Sequence, residues 1–252
     1  MLLPETKSIS PKKLLHVIDV DIIEGELQKL LDKHFVSICE GDSPSDLKLV
    51  KKRFLMFLQT KNEGTQMGAV AEFFVHLFLN QENYKQEFLL LNLEENSIKK
   101  GFDGVFTRDS KIYLVESKSG SILSKGISHK SKLKTAFSDI TKYVSGQSEK
   151  GKNNPWRNAF NHASHCDVGS KRSIRDKIRE LRDMYDNEIY TKVEDYNVIP
   201  CSTIFLNSFW DSGKNLEILN DCDFIDEFNA LSIVAICITK TSLNNFFKYL
   251  ES

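Results

Sequence analysis

The apolar runs "VIPCSTIFLN" (198–207) and "LSIVAICITK" (231–240) constrain the fold more than any other feature of the chain. Both are continuous and rich in β-branched residues, without the alternation that would leave one face to water. Such strands must be covered on both faces, so they belong at the centre of a layered sheet. Material for the covering layers is present. "ELQKLLDKHFVSI" (26–38) spaces Leu27, Leu30, Leu31 and Phe35 as a helix. "SPSDLKLVKKRFLMFLQT" opens on a Ser-Pro cap signal and aligns Leu47, Val50, Phe54, Leu55 and Leu58 on one face. After a loop, "KNEGTQ", the stretch "MGAVAEFFVHLFLN" (67–80) reads as a helix apolar almost all round, hence buried. "KLKTAFSDITKYV" carries Leu133, Phe137, Ile140 and Val144 at helical spacing. "SIRDKIRELRDMYDNEIY" (173–190) is an amphipathic helix with Ser173 as its N-cap, and "SLNNFFKYL" is a closing helix. "LLHVIDVDII" (14–23) and "EFLLLNLEE" (87–95) read as further strands. The class is therefore α/β, a central mixed β-sheet flanked by helices.

Composition matters mainly through where the charge lies. The net charge of −1 conceals an asymmetry: Lys118 to Arg182 holds 15 Lys+Arg against 5 Asp+Glu, and the rest of the chain is correspondingly acidic. That pattern suits a phosphate-facing surface, and equally a solvated lysine-rich one. No apolar run approaches the roughly 20 residues of a membrane-spanning helix, and "MLLPETKSISPKK" has no secretory pattern. The five scattered cysteines form no C-x-x-C pair, as expected of reduced thiols in the cytoplasm. A GxGxxG or Walker loop is absent, so no nucleotide cofactor or motor is expected.

The chemistry concentrates in "KIYLVESKSG" (111–120). Side chains alternate along a strand, so Ile112, Leu114, Glu116 and Lys118 share a face, and the two charged groups sit at its C-terminal end. Upstream, "FDGVF" and the turn "TRDS" make residues 102–118 a β-hairpin. A turn at Arg108-Asp109 sets Asp103 opposite Leu114; a turn at Asp109-Ser110 sets it opposite Glu116. Either way the two carboxylates lie within roughly 5 to 8 Å. Like charges that close need a cation or a shared proton between them. A hard divalent cation meets that need, and the backbone carbonyl of Ser117 is placed as a further oxygen ligand. Such an ion would polarise a phosphoryl oxygen and activate water, with Lys118 orienting the water or neutralising charge on the phosphate. Glu72, among Val70, Phe73, Phe74 and Val75 in the buried helix, requires a partner, and the same cation is a candidate; an exposed stripe with His76 is the alternative.

Asp103 followed by "ESK" at 116–118 resembles the PD-(D/E)xK signature of the restriction-endonuclease-like superfamily, with Phe102 where the signature nominally has proline. Glu72 matches the acidic position that the superfamily often carries on the preceding helix. More narrowly, "GAVAEFFVHLFL", "KGFDGVF" and "IYLVESKSG" resemble the HamA nuclease family of Hachiman antiphage systems, over residues 67–120. The resemblance implies a restriction-endonuclease-like core, DNA as substrate, dependence on Mg²⁺ with Mn²⁺ as a substitute, and a helicase partner, HamB. It further implies one nuclease domain over 1–252, with an N-terminal α/β elaboration at 1–60, a catalytic core at 67–145, and the basic segment with the remaining elements at 146–252. Asp103, Glu116, Lys118 and Glu72 would be catalytic; Asp103, Glu116, the Ser117 carbonyl and Glu72 would hold metal. A catalytically silent binding protein on the same fold and a sequence-specific restriction enzyme are the alternatives.

Other features are weaker. Lys130, Lys132 and Lys134 at the start of one helix, and Arg172, Arg175, Arg179 and Arg182 along the next, either track a DNA backbone or form solvated faces. Trp156, near Lys152 and Arg157, either stacks on a base or packs onto the body. His162, His165 and Cys166 invite a zinc reading but lack the second ligand pair of a closed site.

Overall fold

The computed structural model describes residues 1–90, 101–148 and 154–252. Among these residues, seven strands form one mixed sheet in the order β1-β2-β7-β6-β5-β4-β3. They are β1 (Pro4–Ser10), β2 (Lys13–Val20), β3 (Lys85–Gln86), β4 (Gly104–Arg108), β5 (Lys111–Ser121), β6 (Asn197–Phe205) and β7 (Ser232–Lys240). The two continuous apolar runs become β6 and β7, and every residue of β6 is buried. β5, β6, β7 and β2 run parallel, while β1 and the β3-β4-β5 meander are antiparallel additions.

Among the described residues, eight helices cover the two faces: α1 (Gly25–Glu40), α2 (Leu47–Gln59), α3 (Glu63–Gln81), α4 (His129–Val144), α5 (Pro155–Ser164), α6 (Arg172–Asp186), α7 (Gly213–Asn220) and α8 (Leu243–Glu251). Helices α1, α2, α3 and α8 share one core with Tyr113 and Val115 of β5, Ile199 of β6 and Ile236 of β7. Helices α4, α5, α6 and α7 share the other with Ile112 and Leu114 of β5, Val198 of β6 and Ala235 of β7. The residues of β5 therefore sort by parity, odd toward α3 and even toward α4. The succession α3-β3-β4-β5-α4-β6 is consistent with a restriction-endonuclease-like core.

Helix α3 is the apolar pillar of its layer. Phe73, Phe74 and Phe78 are fully buried, each contributing about 1.5–3 kcal/mol by leaving water. It begins earlier than its apolar run. "KNEGTQ" is its first turn rather than a loop, because the Asn62 side chain accepts the Thr65 N–H at 2.9 Å as an N-cap. Helix α2 is likewise capped by Asp46, which accepts the Lys48 N–H, and not by the Ser-Pro pair. In α6 the N-cap position belongs to Lys171, and Ser173 lies inside the first turn.

Of the strand expected over 87–95, the described part, 87–90, lies outside the sheet, and a short strand precedes it. Only Lys85–Gln86 pairs with β4, after which Gln86 Nε2 bonds the Phe88 carbonyl and Leu90 donates to Ile38 of α1, drawing the backbone off the ladder. Residues 91–95 lie outside the described ones. Three elements had no clear sequence signal: the polar edge strand β1, helix α5 where only a turn around Trp156 was legible, and helix α7. Among the described residues no helix is long and apolar enough to cross a membrane, and all five cysteines are free thiols.

Candidate active site

The site is built on the β4–β5 hairpin. Arg108 pairs with Lys111, so the turn is Asp109-Ser110, and both residues take left-handed φ values (51° and 62°). This two-residue turn matches the twist of the strands it joins. It also settles the register: Gly104 pairs with Val115, which sets Asp103 opposite Glu116. Asp103 donates its N–H to the Val115 carbonyl at 3.1 Å, and its Oδ2 accepts the Ser117 N–H at 2.8 Å. The carboxylate of Asp103 is thus tied to the strand bearing Glu116. Because N–H and C=O of one strand residue point the same way, the Ser117 carbonyl is also turned toward Asp103, past the start of β4.

Phe102, in the place of the signature's proline, is a core anchor. Its ring packs edge-on against Tyr143 of α4 and Trp156 of α5, at centroid distances of 5.7 and 5.0 Å. Trp156 is buried there and in contact with Tyr196, so it is a packing residue that steadies the Asp103 strand and offers no face to a base. Lys152 lies outside the described residues.

Glu116 is only 2% exposed, on the α4 face of β5. Its Oε1 receives the Lys118 ammonium at 2.5 Å, and its Oε2 has no hydrogen-bond partner among the described residues. Burial pushes the Glu116 carboxyl well above its usual pKa range, Asp103 pushes it further, and Lys118 opposes both. For Lys118, burial favours the neutral amine, but Glu116 and Asp139 outweigh it and the net displacement is upward, so the ammonium stays charged. Asp139 of α4 was missed in the sequence: its Oδ2 lies 2.8 Å from Lys118 Nζ. The signal was there, since Asp139 interrupts the buried stripe of Ala136, Ile140 and Tyr143.

Glu72 is placed differently. His76 stands over Gly104, its Nε2 about where a side chain on that glycine would go (3.2 Å from an added Cβ). Glu63, Gln66 and Met67 at the start of α3 lie beside Ser121. Glu72, one turn before His76, is half-buried on α3, the helix that covers the odd-residue face of β5. The structure brings Asp103, Glu116 and Lys118 together at the end of the hairpin.

A family model for HamA matches residues 15–250. The chain belongs to the HamA family. The match extends far beyond the hairpin motif to nearly the whole sheet, and HamA membership supports a role in Hachiman antiphage defence. No curated protein and no solved structure matched the chain.

Within this HamA protein the basic residues divide sharply. Lys132 lies over Gly120, the next even residue of β5 after Lys118; a methyl carbon on Gly120 would come within 2.7 Å of Ile127 Cδ1 and 3.3 Å of Lys132 Nζ. Burial and the Lys118 ammonium both lower the pKa of Lys132. Lys130 instead pairs with Asp221 at 2.7 Å, and Lys134 turns to the Phe224 ring. On α6, Arg172 and Arg179 pair with Asp176, and Arg182 pairs with Asp183 and lies over the Phe160 ring. Those arginines face acids of their own helix, whereas Arg175 is half-buried.

His162 is stacked on Phe88 at 3.8 Å and accepts the Leu89 N–H. It is thus a core residue, and the group of possible ligand atoms at this corner is His165, Cys166 and Asp167, consecutive and largely exposed.

Proposed function

We propose that this HamA protein is a metal-dependent DNA nuclease, the effector subunit of a Hachiman-like pair whose other member is a helicase. The observation that carries the reading is the pairing of Asp103 with Glu116 at the hairpin end, with Glu116 Oε2 buried without a hydrogen-bond partner among the described residues and Lys118 alongside. An all-oxygen donor set of two carboxylates and the Ser117 carbonyl suits Mg²⁺ or Mn²⁺. Such an ion would supply a polarised phosphoryl oxygen and a bound water of lowered pKa.

The chain's own residues do the rest. Asp103 and Glu116 would hold the ion, with Glu72 of α3 as a further acid for it. Lys118 stands on the side of Glu116 where it can orient a water or neutralise charge gathering on the phosphate. Lys132 of α4, lying over Gly120 two strand positions beyond Lys118, meets an adjacent backbone phosphate without reading sequence. A helicase partner suits a nuclease that carries no phosphate-binding loop of its own.

The test is cleavage of plasmid and linear DNA, with and without the helicase subunit, in Mg²⁺ and in EDTA. Cleavage in Mg²⁺ alone, abolished by Glu116→Ala together with Lys118→Ala, is the expected result; undiminished cleavage by that pair would sink the site assignment. One observation favours a second reading, a catalytically silent binding protein: the Lys118 ammonium pairs with both Glu116 and Asp139. That reading expects no uptake of Mn²⁺ by calorimetry.

A further inference from the structure

Lys118 is bound twice. Its ammonium lies 2.5 Å from Glu116 Oε1 on its own strand and 2.8 Å from Asp139 Oδ2 on α4. The first of these contacts engages the same carboxylate that would hold a cation beside Asp103. Ammonium and metal therefore compete for Glu116, and each repels the other. Without a second acceptor, loading the site would leave Lys118 partly buried, beside a divalent cation and with no partner, which is costly. Asp139 is that second acceptor. It sits on the inward stripe of a sixteen-residue helix that packs on β5 and β6, so its position does not depend on the hairpin.

We propose that Asp139 is the positioning residue of this site: it retains Lys118 when Glu116 turns to a metal ion, and so holds the ammonium at the distance needed to act on the phosphate. The inference rests on the metal-dependent reading above. Asp139 touches neither metal nor substrate; it acts through Lys118.

The experiment is titration of the full chain with Mn²⁺, read by loss of the free-ion EPR signal, for the parent, Asp139→Asn, Lys118→Met and the double variant. Asp139→Asn lowers Mn²⁺ affinity about tenfold in the parent background, the size of coupling expected for groups in direct contact. In the Lys118→Met background the same change costs about twofold or less, because there is no ammonium left to retain. An equal loss in both backgrounds overturns the proposal, since Asp139 would then act as a distant charge or a structural group. No loss in the parent overturns it as well. Absence of Mn²⁺ binding by the parent overturns the metal-dependent reading itself, and this inference with it. Unchanged thermal melting of Asp139→Asn separates the effect from unfolding, and recovery of affinity in Asp139→Glu supports a carboxylate that must reach Lys118.

Discussion

The Asp103 carboxylate accepts the backbone N–H of Ser117 at 2.8 Å, so the acid that begins the hairpin is fastened to the strand that ends it. The contact gives Asp103 two separable roles, one structural and one electrostatic. Asparagine in its place keeps a side-chain oxygen for Ser117 but removes the charge. Asp103→Asn is expected to melt close to the parent while losing divalent-cation binding. Asp103→Ala loses both and is expected to be less stable by about 1–2 kcal/mol, the cost of an unmade bond to a shielded N–H. Paired urea melts and Mn²⁺ titrations check this, and equal metal affinity in Asp103→Asn would remove Asp103 from the ligand set.

Trp156 gives a prediction of the opposite kind. Packed against Phe102 and Tyr196 and fully buried, it should cost about 3–5 kcal/mol on truncation to alanine. Its fluorescence should be insensitive to added DNA in the parent. Quenching of Trp156 by stacking, resolved with Trp210→Phe as background, would contradict its placement in the core.

How much of this was legible beforehand follows from which interactions are local. The E-x-K face of β5 rests on strand alternation within ten residues, and it emerged as read. The hairpin register was left open between two turns because Asp109-Ser110 is not the Asn-Gly or Asp-Gly pair that announces such a turn. Asp139 shows in the sequence only as a carboxylate interrupting an apolar stripe; its meeting with Lys118 depends on the α4 crossover, which no local pattern displays. Glu72 was correctly placed on a buried helix, but a sequence does not say on which face of the sheet that helix packs. The arginine spacing on α6 was real, yet Asp176 and Asp183 already occupy three of those side chains.

The lysines of α4 can be told apart by salt dependence. Lys132→Gln should weaken DNA binding and reduce the slope of log affinity against log salt by about one phosphate contact. Lys134→Gln, whose ammonium turns to Phe224, should leave that slope unchanged. Fluorescence anisotropy at several salt concentrations, in Ca²⁺ to support binding without turnover, measures both. A larger effect at Lys134 would reverse the assignment.

Lys240 at the end of β7 carries a stability prediction. It is fully buried over the Phe74 ring, and its ammonium has no hydrogen-bond partner among the described residues. Burial pulls its pKa from 10.5 down to about 7, with Asp21 opposing weakly. Between pH 7 and 10.5 the unfolded chain binds this proton more readily than the folded one, so stability from this group falls as pH drops through that window. Below pH 7 the full penalty persists. Lys240→Met should therefore raise stability by a few kcal/mol at pH 7 and by little near pH 10. Urea midpoints at the two pH values decide it, and a gain that is the same at both would exclude the lysine charge as the cause.

The placement of β2 beside β7 has a consequence for synthesis. Lys13 aligns with Ile233, more than two hundred residues apart, and β5 leans on β6, which begins at Asn197. Pairings of such span close late, after the entropy of a long loop has been met. A ribosome that stops before residue 197 leaves the Glu116 strand with no parallel neighbour and the N-terminal hairpin with nothing to join. Interrupted translation thus yields an incomplete sheet, a chain for the cell's proteases rather than a folded protein.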